Sequence, residues 1–259
     1  MSKRKCIIAP AFERIGEEIE KIPEQIEKSE GRLLWDGRNK IIAFDHIAGC
    51  DKTLVVKKFK KLDFFKRIIY TFFRSNKAKK SYLNALRLTE RGIDTPTPIA
   101  YIEDYRCGLL QKVYYVCGYT DLHPIRERLV DLVPFDRQME KDYAQFVASL
   151  HEKGVIHKDL NNTNVLFAPL TGGHYHFQLI DINRVKFYSD GDKPNDRVWM
   201  ENLTLFADRG EMYTAFVNDY VSCRHLPKSY VGEIMKAKVR HDHHWHRKTM
   251  IKKLFKKGH

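Results

Sequence analysis

The sequence lacks the features that would anchor a chain in a membrane or cross-link it. No apolar run approaches the ~18 to 20 residues of a membrane-spanning helix. Met1-Ser2-Lys3-Arg4-Lys5 leads only into Ile7-Ile8-Ala9 before Pro10, too brief an apolar run for a signal peptide, so a cytoplasmic protein is expected. Five cysteines (Cys6, Cys50, Cys107, Cys117 and Cys223) are odd in number, scattered and without a CxxC pair. That excludes a zinc ribbon or redox motif and fits reduced thiols. Internal repeats, low-complexity tracts and flexible linkers are also missing. What remains is 259 residues, 43% apolar and 12% aromatic. This is too apolar for disorder and long enough for one large domain or two lobes with separate cores.

Acid is scarce in two places. Residues 57–80 hold ten Lys/Arg against Asp63 alone, and residues 236–257 hold nine against Asp242, so local charges of +9 and +8 exceed the net +13. Elsewhere the chain is slightly negative. Two basic segments imply an anionic partner: nucleic acid, a phosphorylated substrate or an anionic membrane surface.

Along the chain, residues 13–30 carry seven Glu, with Ile15, Ile19, Ile22 and Ile26 at helical spacing interrupted by Pro23. One or two short helices are predicted. Short β-rich runs follow at 32–35, 40–44 and 53–59, separated by Asp/Gly/Asn turns, and read as an antiparallel meander. Residues 62–74 and 78–91 have helical periodicity, the second closed by Gly92 and the prolines beyond it. Another strand pair, 99–102 and 109–116, precedes a largely helical second half. The predicted architecture is α+β in two lobes. An N-terminal helical extension (1–30) precedes a β-rich lobe (31–116) and a mainly helical lobe (117–259) that ends in a basic helix.

The chemistry concentrates in His157-Lys-Asp159-Leu-Asn-Asn-Thr-Asn164, followed by an apolar strand that delivers Asp181. The first stretch matches H-x-D-L-x-x-x-N at every specified position, and Asp181 falls where a metal-binding Asp should lie. The protein here resembles the protein-kinase-like phosphotransferases. Phosphoryl transfer needs an acceptor hydroxyl in line with a γ-phosphate, and cations to offset the charge on its oxygens. The resemblance therefore implies ATP and Mg²⁺ as cofactors, with His157, Asp159 and Asn164 as the catalytic set. Asp159 would orient the hydroxyl and take its proton, while Asn164 and Asp181 supply hard oxygen ligands to the metal.

The lysine on the ATP side should come from Val55-Val56-Lys57-Lys58, similar to V-A-I-K. Strand alternation sends Lys57 and Lys58 to opposite faces. Lys57 is favoured because Val55 would share its face and cover the adenine, with Lys58 as the alternative register. Cys117 to Tyr119 is the expected hinge reading the adenine edge. Gly37 and Arg38 stand where a glycine-rich loop would, and Arg38 is a candidate phosphate contact.

Departures from the protein-kinase pattern narrow the family. There is no GxGxxG, no acid between Phe64 and Thr89 to pair with the strand lysine, no A-P-E, and only 78 residues after Asp181. Asp-Leu-Asn in the catalytic loop, Ile-Asp181-Ile-Asn-Arg184 and Gly92-Ile-Asp-Thr-Pro-Thr-Pro-Ile-Ala100 make residues 31–205 similar to the lipopolysaccharide core kinases. That resemblance implies transfer of the ATP γ-phosphate to a Kdo or heptose hydroxyl of a lipid-linked acidic glycan, at the cytoplasmic membrane face. The alternatives are a pseudokinase scaffold that binds nucleotide and a kinase for a protein or small metabolite; nucleic acid is disfavoured as a partner.

Two further segments carry both charge and apolar residues. Residues 62–74 interleave Phe64, Phe65, Tyr70, Phe72 and Phe73 with Lys66, Arg67 and Arg74, fitting either a surface laid on an anionic bilayer or a helix packed on its lobe. The tail sets Ile251, Leu254 and Phe255 among Lys252, Lys253, Lys256 and Lys257, a pattern for interfacial anchoring. The histidines around Asp242 favour a solvated basic helix over a metal site.

Overall fold

The computed structural model describes residues 2–189, 192, 194–206 and 210–256, with side chains to residue 250. The chain divides into two compact units. One is the N-terminal segment to Asp121 together with Leu179–Arg184, and the other is Leu122–Gln178 with the chain from Val185 on. No described helix is long and apolar enough to cross a membrane.

The first unit contains β1 (Ser2–Ile8), α1 (Gly16–Glu27), β2 (Arg32–Asp36), β3 (Lys40–Phe44), β4 (Leu54–Lys58), α2 (Phe64–Phe72), α3 (Lys77–Glu90), β5 (Pro98–Arg106) and β6 (Leu109–Gly118). Its strands form one antiparallel sheet in the order β1-β5-β6-β4-β3-β2. Strand alternation feeds two cores. On one face Leu54, Val56, Ala100, Ile102, Tyr114 and Val116 meet Ile15 and the α1 stripe of Ile19, Ile22 and Ile26. On the other, Phe59, Tyr101, Val113 and Tyr115 meet Ala78 and Tyr82 of α3. Burying each α1 isoleucine stabilises the unit by roughly 2 kcal/mol, which outweighs the backbone bond that Pro23 removes inside that helix.

The first thirty residues, expected as a helical extension, belong to the sheet unit instead. Ser2–Ile8 pairs along its whole length with β5, from Ser2 opposite Arg106 to Ile8 opposite Ala100. Its lysines and arginine disguise a strand in the sequence, yet charged side chains are what protect a sheet edge. Arg4 secures this edge, reaching Asp104 on β5 at 2.6 Å and Glu24 on α1 at 2.7 Å.

α2 begins at an Asp63 cap that accepts from the Lys66 amide. It buries none of its residues: Phe64, Phe65, Ile69 and Phe72 remain exposed, as does Phe73 at its C-cap. α3 is capped by Asn76, whose amide group also donates to the buried Glu103 of β5.

The second unit contains β7 (His123–Pro124), α4 (Arg126–Leu129), α5 (Arg137–Glu152), β8 (Val155–His157), β9 (Val165–Pro169), β10 (Tyr175–Leu179, all but its last residue), β11 (Val185–Phe187), α6 (Asp196–Leu203), α7 (Glu211–Cys223) and α8 (Ser229–Lys256). Strands β10-β9-β7 form a small sheet, and β8 pairs antiparallel with β11. The core is aromatic: Tyr143 of α5 stacks on Phe216 of α7 at 5.2 Å and packs against Phe177 and Phe206. α8 is pinned by the buried Lys238, which donates to the Thr204 and Phe206 carbonyls and to Asp242. The side chains of the proposed tail anchor, residues 251–257, lie outside the described residues.

Candidate active site

The β4 register separates the two candidate lysines. Lys57, opposite Ile41 and Tyr115, carries its Nζ to 2.6 Å from Asp181 Oδ1. Lys58 points the other way, to Glu27 of α1 at 2.8 Å, where Lys112 also arrives. Only Lys57 therefore lies with a residue of the predicted constellation, and Val55 shares its face.

Asp181 follows β10 at the entry to a 3-10 turn, Ile182–Arg184. Its φ is +52°, a left-handed conformation that Asp tolerates better than most residues. The surrounding bonds hold it there. Thr95 Oγ1 donates to the Leu179 carbonyl and Asn84 Nδ2 of α3 donates to the Ile182 carbonyl. Asn183 Nδ2 reaches Asp181 Oδ1 at 2.6 Å.

No helix carboxylate is needed to pair Lys57, because Asp181 supplies that charge. α3 instead presents Lys77 from its first turn. The Lys77 ammonium is pushed below its ordinary pKa, first by burial and then by Arg38, Lys57 and Arg184, with Asp181 opposing. Four cations thus share one electrostatic neighbourhood with one carboxylate. Arg38 was visible in the sequence; Lys77, Asn84, Asn183 and Arg184 were not singled out. The last two stand within the Ile-Asp181-Ile-Asn-Arg184 match and could have been found there, whereas Lys77 looked like one more charge in a basic run.

Gly37 sits in the β2–β3 turn beneath Trp35, where an added Cβ would run into the indole. At the predicted hinge, the Gly118 and Tyr119 amides donate to the Thr97 and Thr53 carbonyls at 2.9 and 3.0 Å. Burial pushes the Cys117 thiol up to about 12, keeping it protonated.

In the second unit the catalytic loop folds back on itself. His157 ends β8 fully buried, and its Nδ1 accepts from the Asp159 amide at 3.1 Å. Grouped with the catalytic residues by the motif, His157 shapes the loop backbone and does not reach its surface. Asn164 Nδ2 donates to the Asp159 carbonyl at 2.9 Å, fixing the side-chain amide. Asn161 caps the turn through the Thr163 amide and hydroxyl. Asp159 is left half-buried at the crest of this loop.

A buried polar chain supports the loop from behind. The Tyr220 hydroxyl lies 2.7 Å from His151 Nδ1, His151 Nε2 lies 3.0 Å from Asn202 Oδ1, and Asn202 Nδ2 donates to the His157 carbonyl at 2.8 Å. Helices α7, α5 and α6 are thereby tied to the strand that ends at the motif. These residues are far apart in sequence and match no motif, so sequence reading missed them.

The oxygen donors of Asp181 and Asn164 are hard ligands, the type that suits Mg²⁺. Around Asp242 the histidines form no such set. Among the described residues no three His, Cys, Asp or Glu side chains converge, and Asp242 is engaged by Lys238.

A six-stranded antiparallel unit with a lysine–aspartate pair, and a helical unit bearing H-x-D-L-x-x-x-N, define a phosphotransferase of protein-kinase-like fold. The solved structure described as "WaaP in complex with acyl carrier protein" is similar over 91% of this chain and 98% of that one, with 16% identity and a TM-score of 0.60. No curated protein matches by sequence. The model of the lipopolysaccharide kinase (Kdo/WaaP) family matches residues 59–203, more than half of the chain. The chain belongs to that family.

Proposed function

We propose that the protein transfers the γ-phosphate of ATP to a Kdo or heptose hydroxyl of inner-core lipopolysaccharide. The observation that carries this reading is the Lys57–Asp181 pair set among Arg38, Lys77 and Arg184, in a chain of this family that also bears Asp159 and Asn164. Lys57 and the neighbouring cations hold the phosphates, and the Cys117–Tyr119 segment reads the adenine edge. Asp181 and Asn164 would hold Mg²⁺, which would supply positive charge to offset that on the phosphate oxygens. Asp159 accepts the hydroxyl proton as the sugar oxygen bonds to the γ-phosphorus and the bond to the bridging oxygen breaks, so that ADP leaves with the electron pair. His157 positions Asp159 through its backbone.

The exposed aromatic and basic face of α2 suits an enzyme held peripherally at the cytoplasmic face of an anionic membrane, where a lipid-linked acceptor is displayed. An acyl carrier protein, present in the solved WaaP complex, is the other partner to test on this face.

The deciding experiment incubates the protein with labelled ATP, Mg²⁺ and a panel of Kdo-lipid A, heptosylated core, a generic peptide and small metabolites. Label should enter a core sugar and be lost in Asp159→Ala. Label in peptide or metabolite alone, or undiminished transfer by Asp159→Ala, overturns the proposal. No transfer to any acceptor, with ATP still bound, would favour the pseudokinase alternative.

A further inference from the structure

A cavity of about 1070 Å³ in the second unit opens between the β8–β11 pair, α6 and α8. Its walls are cationic. Lys158 and Lys186 enter from the strand side, and Lys236 and Arg240 from α8. Lys186 lies opposite Ile156 in the strand register, which brings both residues to the cavity. On α8, positions four apart fall on one face about 6 Å apart along the axis, so Lys236 and Arg240 present two charges in a row.

Among the described residues of the lining, little neutralises Lys186, Lys236 and Arg240. Arg197 and Glu201 satisfy each other at 2.8 Å, which leaves Glu233 as the remaining acid among the described residues of the lining. Among the described residues, Lys186, Lys236 and Arg240 have no ion-pair partner. Three solvated lysines on a surface would mean little; here the cations converge on a concavity with an apolar floor that includes Val198 and Leu205. Its volume reaches the upper end of ordinary ligand sites, roughly 300 to 1,000 Å³, enough for an oligosaccharide head group.

Two connections tie the cavity to the catalytic loop within this unit. Lys158 immediately precedes Asp159, so their Cα atoms are about 3.8 Å apart. Asn202, on the cavity wall, donates to the His157 carbonyl. A ligand seated here sits beside the loop that carries the proposed base.

We infer that this cavity is the acceptor's anion subsite. Lys158, Lys186, Lys236 and Arg240 hold phosphate or carboxylate groups of an acidic glycan while its hydroxyl is presented at Asp159. The identity of the acceptor rests on the function proposed above; the anion chemistry of the cavity does not.

The test uses fully deacylated Kdo₂-lipid A, a water-soluble bisphosphorylated tetrasaccharide that removes any contribution from membrane binding. Calorimetric titration into the full-length Asp159→Ala protein should give saturable binding. Adding Lys236→Glu with Arg240→Glu should weaken it at least tenfold while affinity for MgATP changes less than twofold. The charge-preserving Arg240→Lys should bind within threefold of its parent. A phosphatase-treated glycan and a carboxyl-methylated glycan identify the anion: weaker binding of either supports the subsite and names the group read. Equal affinity for all three glycans, or binding indifferent to charge reversal, overturns it. The two proposals fail separately. If no acceptor is ever labelled but charge reversal still abolishes glycan binding, the kinase reading falls and the subsite stands. If Kdo-lipid A is labelled with its KM unmoved by charge reversal, the subsite falls and the kinase reading stands.

Discussion

Lys57 and Asp181, separated by 124 residues of chain, meet at 2.6 Å as an ion pair. The pair explains how a kinase-like sheet unit can lack an acid between Lys77 and Thr89 of its packed helix: the lysine takes its geometry from Asp181, which is in turn held by Asn183, while Asn84 of α3 holds the next residue's carbonyl. On the proposed reading, each member of the pair would turn to a new partner in the loaded enzyme: Lys57 would take a phosphate and Asp181 would hold the cation.

Lys57→Ala should therefore lower kcat/KM for ATP by at least a hundredfold, about 3 kcal/mol of transition-state stabilisation. Lys58→Ala should change it less than threefold. Its partner Glu27 is half exposed, and such pairs contribute at most about 1 kcal/mol to stability. Steady-state kinetics on the two variants side by side checks the register, and a larger loss at Lys58 would reverse the assignment.

Asp181→Asn keeps the size of the side chain and the tolerance for the left-handed backbone but removes the charge. It should fold with nearly the parental melting temperature and require several-fold more Mg²⁺ for half-maximal turnover. A magnesium titration of the residual activity measures this; an unaltered requirement would remove Asp181 from the metal site.

His151 makes stability depend on pH. Burial lowers its pKa from the ordinary 6.5 to about 4, while Asn202 partly opposes the shift. The unfolded chain takes up this proton below about pH 6.5 and the folded chain only below about pH 4. The contribution is therefore complete above pH 6.5 and drains away as the pH falls toward 4, by on the order of 3 kcal/mol in all. Urea unfolding at pH 7.5 and 5.0 should show a smaller stability difference for His151→Gln than for the parent protein.

Phe65 and Phe73 are 76% and 77% exposed, so replacing both with Asp should leave folding intact. Co-sedimentation with anionic phospholipid vesicles should fall at least fivefold and grow more salt-sensitive in what remains. Binding that persists unchanged would move the membrane contact elsewhere on the protein.

Local chemistry was legible in the sequence. The catalytic loop, the β4 lysines, the turn at Arg38 and the helices of the first unit announced themselves by spacing or periodicity. Long-range pairing was not. Nothing in Ser2–Ile8 reveals that it lies against β5, because an edge strand buries little and its alternation is masked by Lys3, Arg4 and Lys5. The same limit hid Asn202, whose identity matters only because α6 passes behind His157, and Lys77, whose neighbours come from β4, a hairpin turn and a segment a hundred residues later. The periodicity of residues 62–74 correctly gave a helix but left its environment open; the fold leaves every aromatic side chain of α2 unburied except for the half-buried Tyr70.

The six residues Leu179–Arg184 belong to the first unit while the chain on either side belongs to the second. The backbone thus passes between units three times, and the sheet unit is completed only after the catalytic loop of the other unit has been synthesised. A fragment ending at Asp121 would carry Lys57 without its counter-charge and Asn84 without the carbonyl it serves. The two units cannot be separated by a single cut, and a circular permutant opened near Asp121 would preserve what a truncation there destroys.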